Sequence, residues 1–159
     1  MPAAAADLRA VLRRVPAGVA VVTVDHDGER LGLTVSALIA LSLEPPLVGL
    51  AVARQAALHE IVRHAGAFAV SYLPADEAGT RAAAHFARGV PPIVMWHGIV
   101  LREGRAGLPP QLAGAAGWLD CKIVAEHGAG DHTLFVAEVT AAETGPAERA
   151  LVHVEGRTE

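Results

Sequence analysis

Two hydroxyl side chains stand two residues apart in an otherwise apolar segment, Leu33-Thr34-Val35-Ser36-Ala37. In an extended strand, Thr34 and Ser36 point to one face of the sheet and Val35 points to the other. Hydroxyl groups in apolar surroundings need hydrogen-bond partners. They could meet the polar edge of a flat ring bound by the strand, or they could bond to neighbouring main chain. The spacing alone favours the main-chain alternative.

A second candidate site is Ala51-Val52-Ala53-Arg54-Gln55-Ala56-Ala57, between a predicted buried strand and a predicted helix. The N-terminus of a helix presents unpaired N–H groups and a partial positive charge, so it attracts phosphate. Arg54 could add a bidentate hydrogen bond to the same phosphate. The alternative is an ordinary solvent-facing arginine on a turn.

The third candidate is His132, which follows a glycine-bearing turn, Gly128-Ala129-Gly130-Asp131. A histidine at the start of a strand can line the mouth of a pocket, and a surface-loop histidine is the alternative. The other histidines lack the spacing of metal ligands, so no metal site is expected. The sequence contains no G-x-S-x-G and no G-x-G-x-x-G, which argues against a hydrolase nucleophile and a Rossmann nucleotide site.

Length and composition restrict the class of protein. A chain of 159 residues fits one domain. Its hydrophobic content of 52% and mean hydropathy of +0.37 are high, yet no apolar run reaches the roughly 18 residues of a membrane span. We therefore expect a homodimer rather than a membrane protein.

Charge and the N-terminus restrict the partners and the location. The net charge is −4 and the basic residues form no stripe, so nucleic acid is not an expected partner. The N-terminus does not resemble a secretory signal, so a cytoplasmic location is expected.

The positioning elements follow from hydrophobic periodicity and turn residues. The spacing of Leu8, Val11, Leu12 and Val15 predicts an amphipathic helix capped by Asp7 and ended by Pro16. Helices are also predicted over 58–64, closed by Gly66, and over 76–88, and residues 89–110 are expected to be mostly loop. Strands are predicted over 19–24, 31–43, 47–52, 67–73, 118–125, 133–142 and 151–154.

The order of these elements indicates an antiparallel architecture. Asp27-Gly28 is typical of a tight hairpin turn between the first two strands, and such a hairpin requires antiparallel pairing. A doubly wound parallel sheet would need a helix after nearly every strand, and these helices are missing. We therefore expect a closed antiparallel β-barrel with helices packed at its ends.

Seven segments, in this order, resemble the flavin reductase-like family, which has the FMN-binding split-barrel fold. They are PAGVAVVTVDHDG, GLTVSALIALSLEPPLVGLAV, IVRHAGAFAVSYL, HFAR, LAGAAGWLDCKIV, GDHTLFVAEV and LVHVEGR. The second segment is the most specific because its T-x-S core, its S-L-x-P-P turn and the following strand fall in register. The family includes the reductase components of two-component flavin-dependent monooxygenases. The resemblance implies a single domain, an antiparallel split β-barrel with flanking helices.

The resemblance also implies roles for the candidate residues. The strand Thr34–Ala37 would contact the isoalloxazine ring and ribityl chain, and Ala51–Ala57 would wrap the other side and reach the phosphate. His132 would face the nicotinamide in a positioning role, with Arg157 near the same mouth. The flavin would be approached from the barrel rim, from the second subunit, by His85, Phe86 and the loop that begins at Arg88.

The expected activity is hydride transfer from NADH or NADPH to FMN, with FAD as the alternative flavin. This reaction needs the nicotinamide stacked on the flavin at roughly 3–3.5 Å and no strong acid, base or nucleophile from the protein. A monooxygenase component would receive the reduced flavin. One alternative is a flavin-binding or electron-transfer protein without a nicotinamide site. Another is a barrel that has lost flavin, because Ala53 and Ala57 offer phosphate no side-chain hydrogen bond.

Overall fold

A computed structural model describes the whole chain, Met1–Glu159. It contains four helices and ten strands. The helices are α1 (Ala5–Leu12), α2 (Ala57–Ala65), α3 (Glu77–Ala87) and α4 (Pro92–Met95). The strands are β1 (Ala17–Gly18), β2 (Ala20–His26), β3 (Glu29–Val35), β4 (Leu38–Leu43), β5 (Pro46–Ala53), β6 (Ala67–Tyr72), β7 (Gly117–Ala129), β8 (His132–Thr144), β9 (Val152–Val154) and β10 (Arg157–Thr158).

Seven strands form one antiparallel sheet in the order β3-β2-β6-β7-β8-β5-β4. Its two edge strands, β3 and β4, are consecutive in the chain and are separated only by Ser36 and Ala37. The sheet must therefore curl until its edges approach each other. The edges do not pair as strands, so the expected closure of the barrel is wrong. The antiparallel split β-barrel with flanking helices is confirmed.

A second, three-stranded sheet ties the end of the chain to its beginning. Its order is β1-β9-β10, with Ala17 opposite His153. The Val19 N–H also donates to the Leu151 carbonyl at 2.9 Å. Because Val19 directly precedes β2 and β2 pairs with β3, this sheet brings the last residues of the chain beside the end of β3. Strand β10 was not expected from the sequence.

The turns explain where the predicted strands differ from the observed ones. The hairpin at Asp27-Gly28 is confirmed, with φ of 50° and 82° at its two residues. The single extended segment expected over 31–43 is broken at Ser36-Ala37 into β3 and β4. The loop expected between 125 and 133 is instead a continuation of β7 and β8, with only Gly130 and Asp131 in the turn. Main-chain pairing continues there although the last residues of β7 are exposed on both faces and bury no apolar side chain.

The core lies inside the curled sheet and under α2 and α3. The helices predicted over 58–64 and 76–88 are confirmed, and Asp76 caps α3 by accepting from the Gly79 N–H at 2.8 Å. Helix α1 forms as predicted, but Ala4 and not Asp7 is its N-cap residue, and none of its residues is buried. No helix has the length and apolar character needed to cross a membrane.

Candidate functional site

A cavity of about 320 Å³, here called the β3 cleft, lies between the end of β3 and α3. Thr34, Val35 and Ser36 line it from the β3 side. Helix α3 presents one face to it because its lining residues recur at helical spacing. These residues are Thr80, Ala83, Ala84 and Ala87, and the lining is completed by Val19, His153 and Thr158. Small alanine side chains leave a slot that is open to a flat ligand.

The two hydroxyl groups of the first candidate segment have different environments. The Thr34 hydroxyl donates to the Ala83 carbonyl at 2.7 Å, so only its oxygen lone pairs remain for a ligand. Ser36 is exposed in the bend after β3 and has no side-chain hydrogen bond within the chain. Main-chain bonding therefore accounts for Thr34 and leaves the Ser36 hydroxyl free to donate or accept.

A second cavity of about 650 Å³, here called the α1 cavity, adjoins the β3 cleft. Helix α1 and the residues after it form one wall, and Ser36, Asp131 and His153 stand opposite. The α1 wall consists of Ala5, Leu8, Arg9, Leu12, Arg13, Val15 and Ala17. Ser36 and His153 line both cavities. The end of the barrel therefore offers two adjoining spaces with a shared polar boundary.

The tip of the β7–β8 hairpin brings the second and third candidate sites together. Ala53 pairs with His132 across β5 and β8, and the Arg54 N–H donates to the Asp131 carbonyl at 3.0 Å. The Asp131 carboxylate lies 2.7 Å from His132 Nδ1. This hydrogen bond, the charge of His132 and the nearby Arg54 lower the pKa of the Asp131 carboxyl. Nδ1 is thus engaged by Asp131, and His132 Nε2 is left without a partner.

Arg54 also lies beside the hairpin at Gly128. A Cβ built on Gly128 would lie 2.9 Å from Arg54 Nη2, so the guanidinium packs close to the hairpin backbone. Ala51 is tied to the other side of the barrel opening, because its N–H donates to the Ala37 carbonyl at 3.1 Å. The segments expected to surround one ligand, Thr34–Ala37 and Ala51–Ala57, therefore meet at the gap between the sheet edges.

Three residues expected at the flavin, Val35, Val52 and Phe86, have side chains in the core, and of these only Val35 also lines the β3 cleft. Val52 is 2% exposed, and Phe86 is 1% exposed. The Phe86 ring packs beside Trp96, with ring centroids 5.5 Å apart, and over Gly32. The structure therefore corrects the expected position of the Phe86 ring from the barrel rim to the core, and only the main chain of Val52 is available to a ligand.

Five other expected residues do not line either cavity. His85 faces the opposite side of α3, where its Nε2 lies 2.6 Å from the Met95 carbonyl oxygen. Arg88 is the exposed C-cap residue of α3, and Gln55 and Ala57 are exposed at the start of α2. Arg157 is exposed on β10, next to Thr158 in the β3 cleft. Within one chain, these side chains do not meet Ser36.

Most residues that line the two cavities were not among the expected site residues, including His153, Thr158 and Asp131. His153 has a sequence signal, because alternation along β9 places it on the face opposite to Val152 and Val154. The pattern could not show that β9 pairs with β1 beside β3. Asp131 was grouped with the turn, although an acidic residue next to a candidate histidine is a common orienting partner.

Comparison with known proteins identifies the family of this chain. The model of the family described as "Flavin reductase like domain" matches residues 12–159. The chain is 37% identical over 152 residues to an NADH-dependent FAD reductase of Streptomyces globisporus, covering 94% of this chain and 82% of that protein. It is 39% identical over 142 residues to the reductase component of 4-hydroxyphenylacetate 3-monooxygenase of Thermus thermophilus, covering 89% and 87% of the two chains.

The fold comparison leads to the same family. The NADH:FAD oxidoreductase SgcE6 of Streptomyces globisporus C-1027 superposes with a TM-score of 0.90 and 34% identity, covering 100% of this chain and 94% of that chain. A structure of the same oxidoreductase in complex with NAD and FAD fragments superposes with a TM-score of 0.86. With the family match extending from the end of α1 to the last residue, this chain belongs to the flavin reductase-like family.

Proposed function

We propose that this chain is an NADH-dependent flavin reductase, which transfers hydride from the nicotinamide to a flavin and supplies reduced flavin to a monooxygenase component. The observation that carries this proposal is the pair of adjoining cavities that share Ser36 and His153. Hydride transfer between two organic ligands requires that both be held side by side. Relatives named as NADH-dependent reductases and as monooxygenase reductase components support the donor and the partner.

The β3 cleft fits a flat ring system with a polar edge. Val19 and Val35 form an apolar wall, and the alanines of α3 keep the slot open. Ser36 would hold the polar edge with its free hydroxyl, and Thr34 would accept a hydrogen bond through its oxygen. A bound flavin supplies the redox chemistry, which no side chain of this protein supplies. Relatives are named for FAD and for FMN, so the proposal covers both flavins.

His132 would position the nicotinamide rather than transfer a proton. Asp131 holds Nδ1 at 2.7 Å, which fixes the ring and leaves Nε2 for the donor's carboxamide. The flavin phosphate would be held by Arg54 and by main-chain N–H groups at the start of α2, since Ala53 and Ala57 have no side-chain donors. Contacts of His85, Arg88 and Arg157 with flavin, from this chain or a second subunit, stay predictions.

A homodimer is part of the proposal, and exposed apolar residues on the edge strand β4 support it. Ile39 and Leu41 are 53% and 45% exposed, and both lie against Gly49 together with Leu134. We call Ile39, Leu41, Gly49 and Leu134 the β4 patch. An apolar edge strand left open to solvent invites pairing with another chain. The expected cytoplasmic location stays a prediction.

The visible spectrum and NADH oxidation of the purified protein test the activity. We expect NADH oxidation with added FMN or FAD to exceed the rate of NADH with free flavin. Absence of any excess rate would refute the reductase. A yellow protein that accepts electrons only from a separate reductase would indicate the electron-transfer alternative. A colourless protein whose Tm is unchanged by flavin would indicate a barrel that binds another ligand.

A further inference from the structure

Helix α1 contributes nothing to the core of this chain. None of its residues is buried, and Leu8, Leu12 and the following Val15 are 55%, 57% and 55% exposed. These apolar residues line the α1 cavity. The helix is nevertheless held in place, because the Glu155 N–H donates to the Arg13 carbonyl at 2.6 Å. An anchored helix that turns its apolar side to an open cavity is suited to contact a ligand there.

The charges around the α1 cavity indicate what kind of ligand this is. The arginines that form ion pairs are Arg30, Arg63, Arg81, Arg102 and Arg105. Arg9 and Arg13 line the cavity and form neither an ion pair nor a side-chain hydrogen bond. Asp131 is the only carboxylate in the lining, and it is already engaged by His132. The cavity is therefore locally cationic in a chain whose net charge is −4.

Three further arginines without ion pairs lie around the same end of the barrel. Arg14 follows Arg13 next to Glu155, Arg54 lies beside Asp131, and Arg157 precedes Thr158 of the β3 cleft. Neighbouring guanidinium groups repel one another, and an anion bound between them would relieve this repulsion. Phosphate groups match the planar guanidinium fork in geometry and charge.

We propose that Arg9 and Arg13 bind the diphosphate of a dinucleotide in the α1 cavity, with Leu8 and Leu12 packing against an attached ring. Positions 9 and 13 are four residues apart, so both side chains project from one side of the helix and can engage successive phosphates. The cavity's volume of about 650 Å³ lies within the range of small-molecule sites. This inference rests on the proposed function, in which NADH and FAD are the two ligands that carry a diphosphate.

The test compares NADH with a hydride donor that has no phosphate, N-benzyl-1,4-dihydronicotinamide, in Arg9→Gln, Arg13→Gln and the double variant. If the diphosphate belongs to NADH, the ratio of kcat/KM for NADH to that for the benzyl donor falls about tenfold per substitution, mainly through KM. If it belongs to FAD, this ratio stays constant, and the Kd for FAD rises about tenfold while the Kd for FMN does not. Inorganic pyrophosphate should compete with the affected ligand less well in the double variant than in the native chain.

Arg149→Gln is the matched control, since it removes the same charge from an exposed arginine that has no ion pair and lines neither cavity. It should leave the donor ratio and both flavin affinities unchanged. A double variant with an unchanged donor ratio and an unchanged Kd for FAD would overturn the inference. So would a double variant that becomes monomeric with these values unchanged, because α1 would then be a subunit contact. Failure of the native chain to oxidise NADH would instead refute the proposed function.

Discussion

Ser36 and Thr34 differ in whether the side-chain hydroxyl is free to bind a ligand. Both hydroxyls line the β3 cleft, but the Thr34 hydroxyl already donates to the Ala83 carbonyl. The free hydroxyl of Ser36 is therefore available at the boundary between the two cavities. At the tip of the β7–β8 hairpin, Asp131 has a comparable role, since it engages one nitrogen of His132 and leaves the other for a ligand.

The role of Ser36 can be tested by replacing it with alanine, which removes the hydroxyl and adds no atoms. We expect Ser36→Ala to weaken flavin binding by roughly 1 kcal/mol or more, measured as the Kd in a fluorescence titration. Thr144→Val is the control, because it removes an exposed hydroxyl outside both cavities. Equal affinities in the native chain and Ser36→Ala would remove Ser36 from the flavin site.

The role of Asp131 predicts a selective effect on the donor. Asp131→Asn should raise the KM for NADH several-fold with little change in flavin affinity, since His132 loses the carboxylate that holds it. The pKa of the Asp131 carboxyl is lowered. The carboxylate and its contact with His132 therefore persist until the pH falls below the usual range of carboxyl pKa values. The KM for NADH should therefore show no step from Asp131 near pH 4, the ordinary value.

The β2–β3 turn offers a matched control for Asp131. His26 and Asp27 form a similar exposed contact there, with His26 Nε2 3.3 Å from Asp27 Oδ2. Asp27→Asn breaks a His–Asp contact of the same kind outside the two cavities and should leave the KM for NADH unchanged. Equal effects of the two substitutions would show that Asp131 acts through general charge and not through His132.

At the scale of elements, close packing of α3 against β3 sets the width of the cleft. The Phe86 side chain fits against Gly32 because that strand position has no Cβ. A Cβ there would lie 2.7 Å from two Phe86 ring atoms. The same helix presents Thr80, Ala83, Ala84 and Ala87 to the cleft. The residue expected to touch the ligand thus supports the helix whose alanines line the ligand's space.

This packing predicts that Gly32→Ala is destabilising. The added methyl group must displace a ring that is 1% exposed, and overpacking of this kind costs about 1–3 kcal/mol. Urea unfolding gives the change in free energy of unfolding. Gly18→Ala serves as the control, because a Cβ at Gly18 meets nothing within 4 Å. Equal stabilities of the two variants would contradict the tight contact between α3 and β3.

At the scale of the whole molecule, the curled sheet buries some titratable groups and leaves an apolar edge. Burial raises the pKa of the Cys121 thiol to about 12, and the charge of Asp120 adds to this shift. Burial also raises the pKa of Tyr72. On the outside, Ile39 and Leu41 of the β4 patch remain exposed in the single chain.

The raised thiol pKa predicts loss of stability in alkali. The folded state keeps the Cys121 proton up to about pH 12, whereas the unfolded chain loses it near the ordinary value of 9.0. The unfolded state therefore binds fewer protons between these values, and the free energy of unfolding falls as pH rises through this window. In Cys121→Ala, the free energy of unfolding measured with urea should fall less steeply as pH rises. The raised pKa of Tyr72 accounts for the decline that remains. An unaltered slope would mean that the thiol ionises in the folded protein.

The β4 patch predicts the assembly state. Leu41→Glu places a charge in the centre of the patch and should convert a dimer into a monomer in light scattering. Glu29→Lys changes an exposed charge on β3, outside the patch, and should leave the mass unchanged. A native chain that is already monomeric would refute the proposed homodimer.

Local patterns were sufficient for most elements and for the family. Branched residues predicted β2, the Asp27-Gly28 pair predicted its hairpin, and Gly66 predicted the end of α2. These features depend on backbone preferences and periodicity over a few residues, which the sequence carries directly. The free hydroxyl of Ser36 was not predictable, because it depends on whether a carbonyl from α3 lies near Thr34 or near Ser36.

The sequence by itself determined most of the strands, the first antiparallel hairpin and the segments that carry the site, because these follow from short-range chemistry. Only the tertiary structure decided that Phe86 lies in the core, that His85 faces away from Ser36, and that His153 stands between two cavities. These outcomes depend on how the sheet curls and on which distant strands pair. Contacts between residues more than a hundred positions apart, such as Ala17 and His153, leave no periodic trace in the sequence.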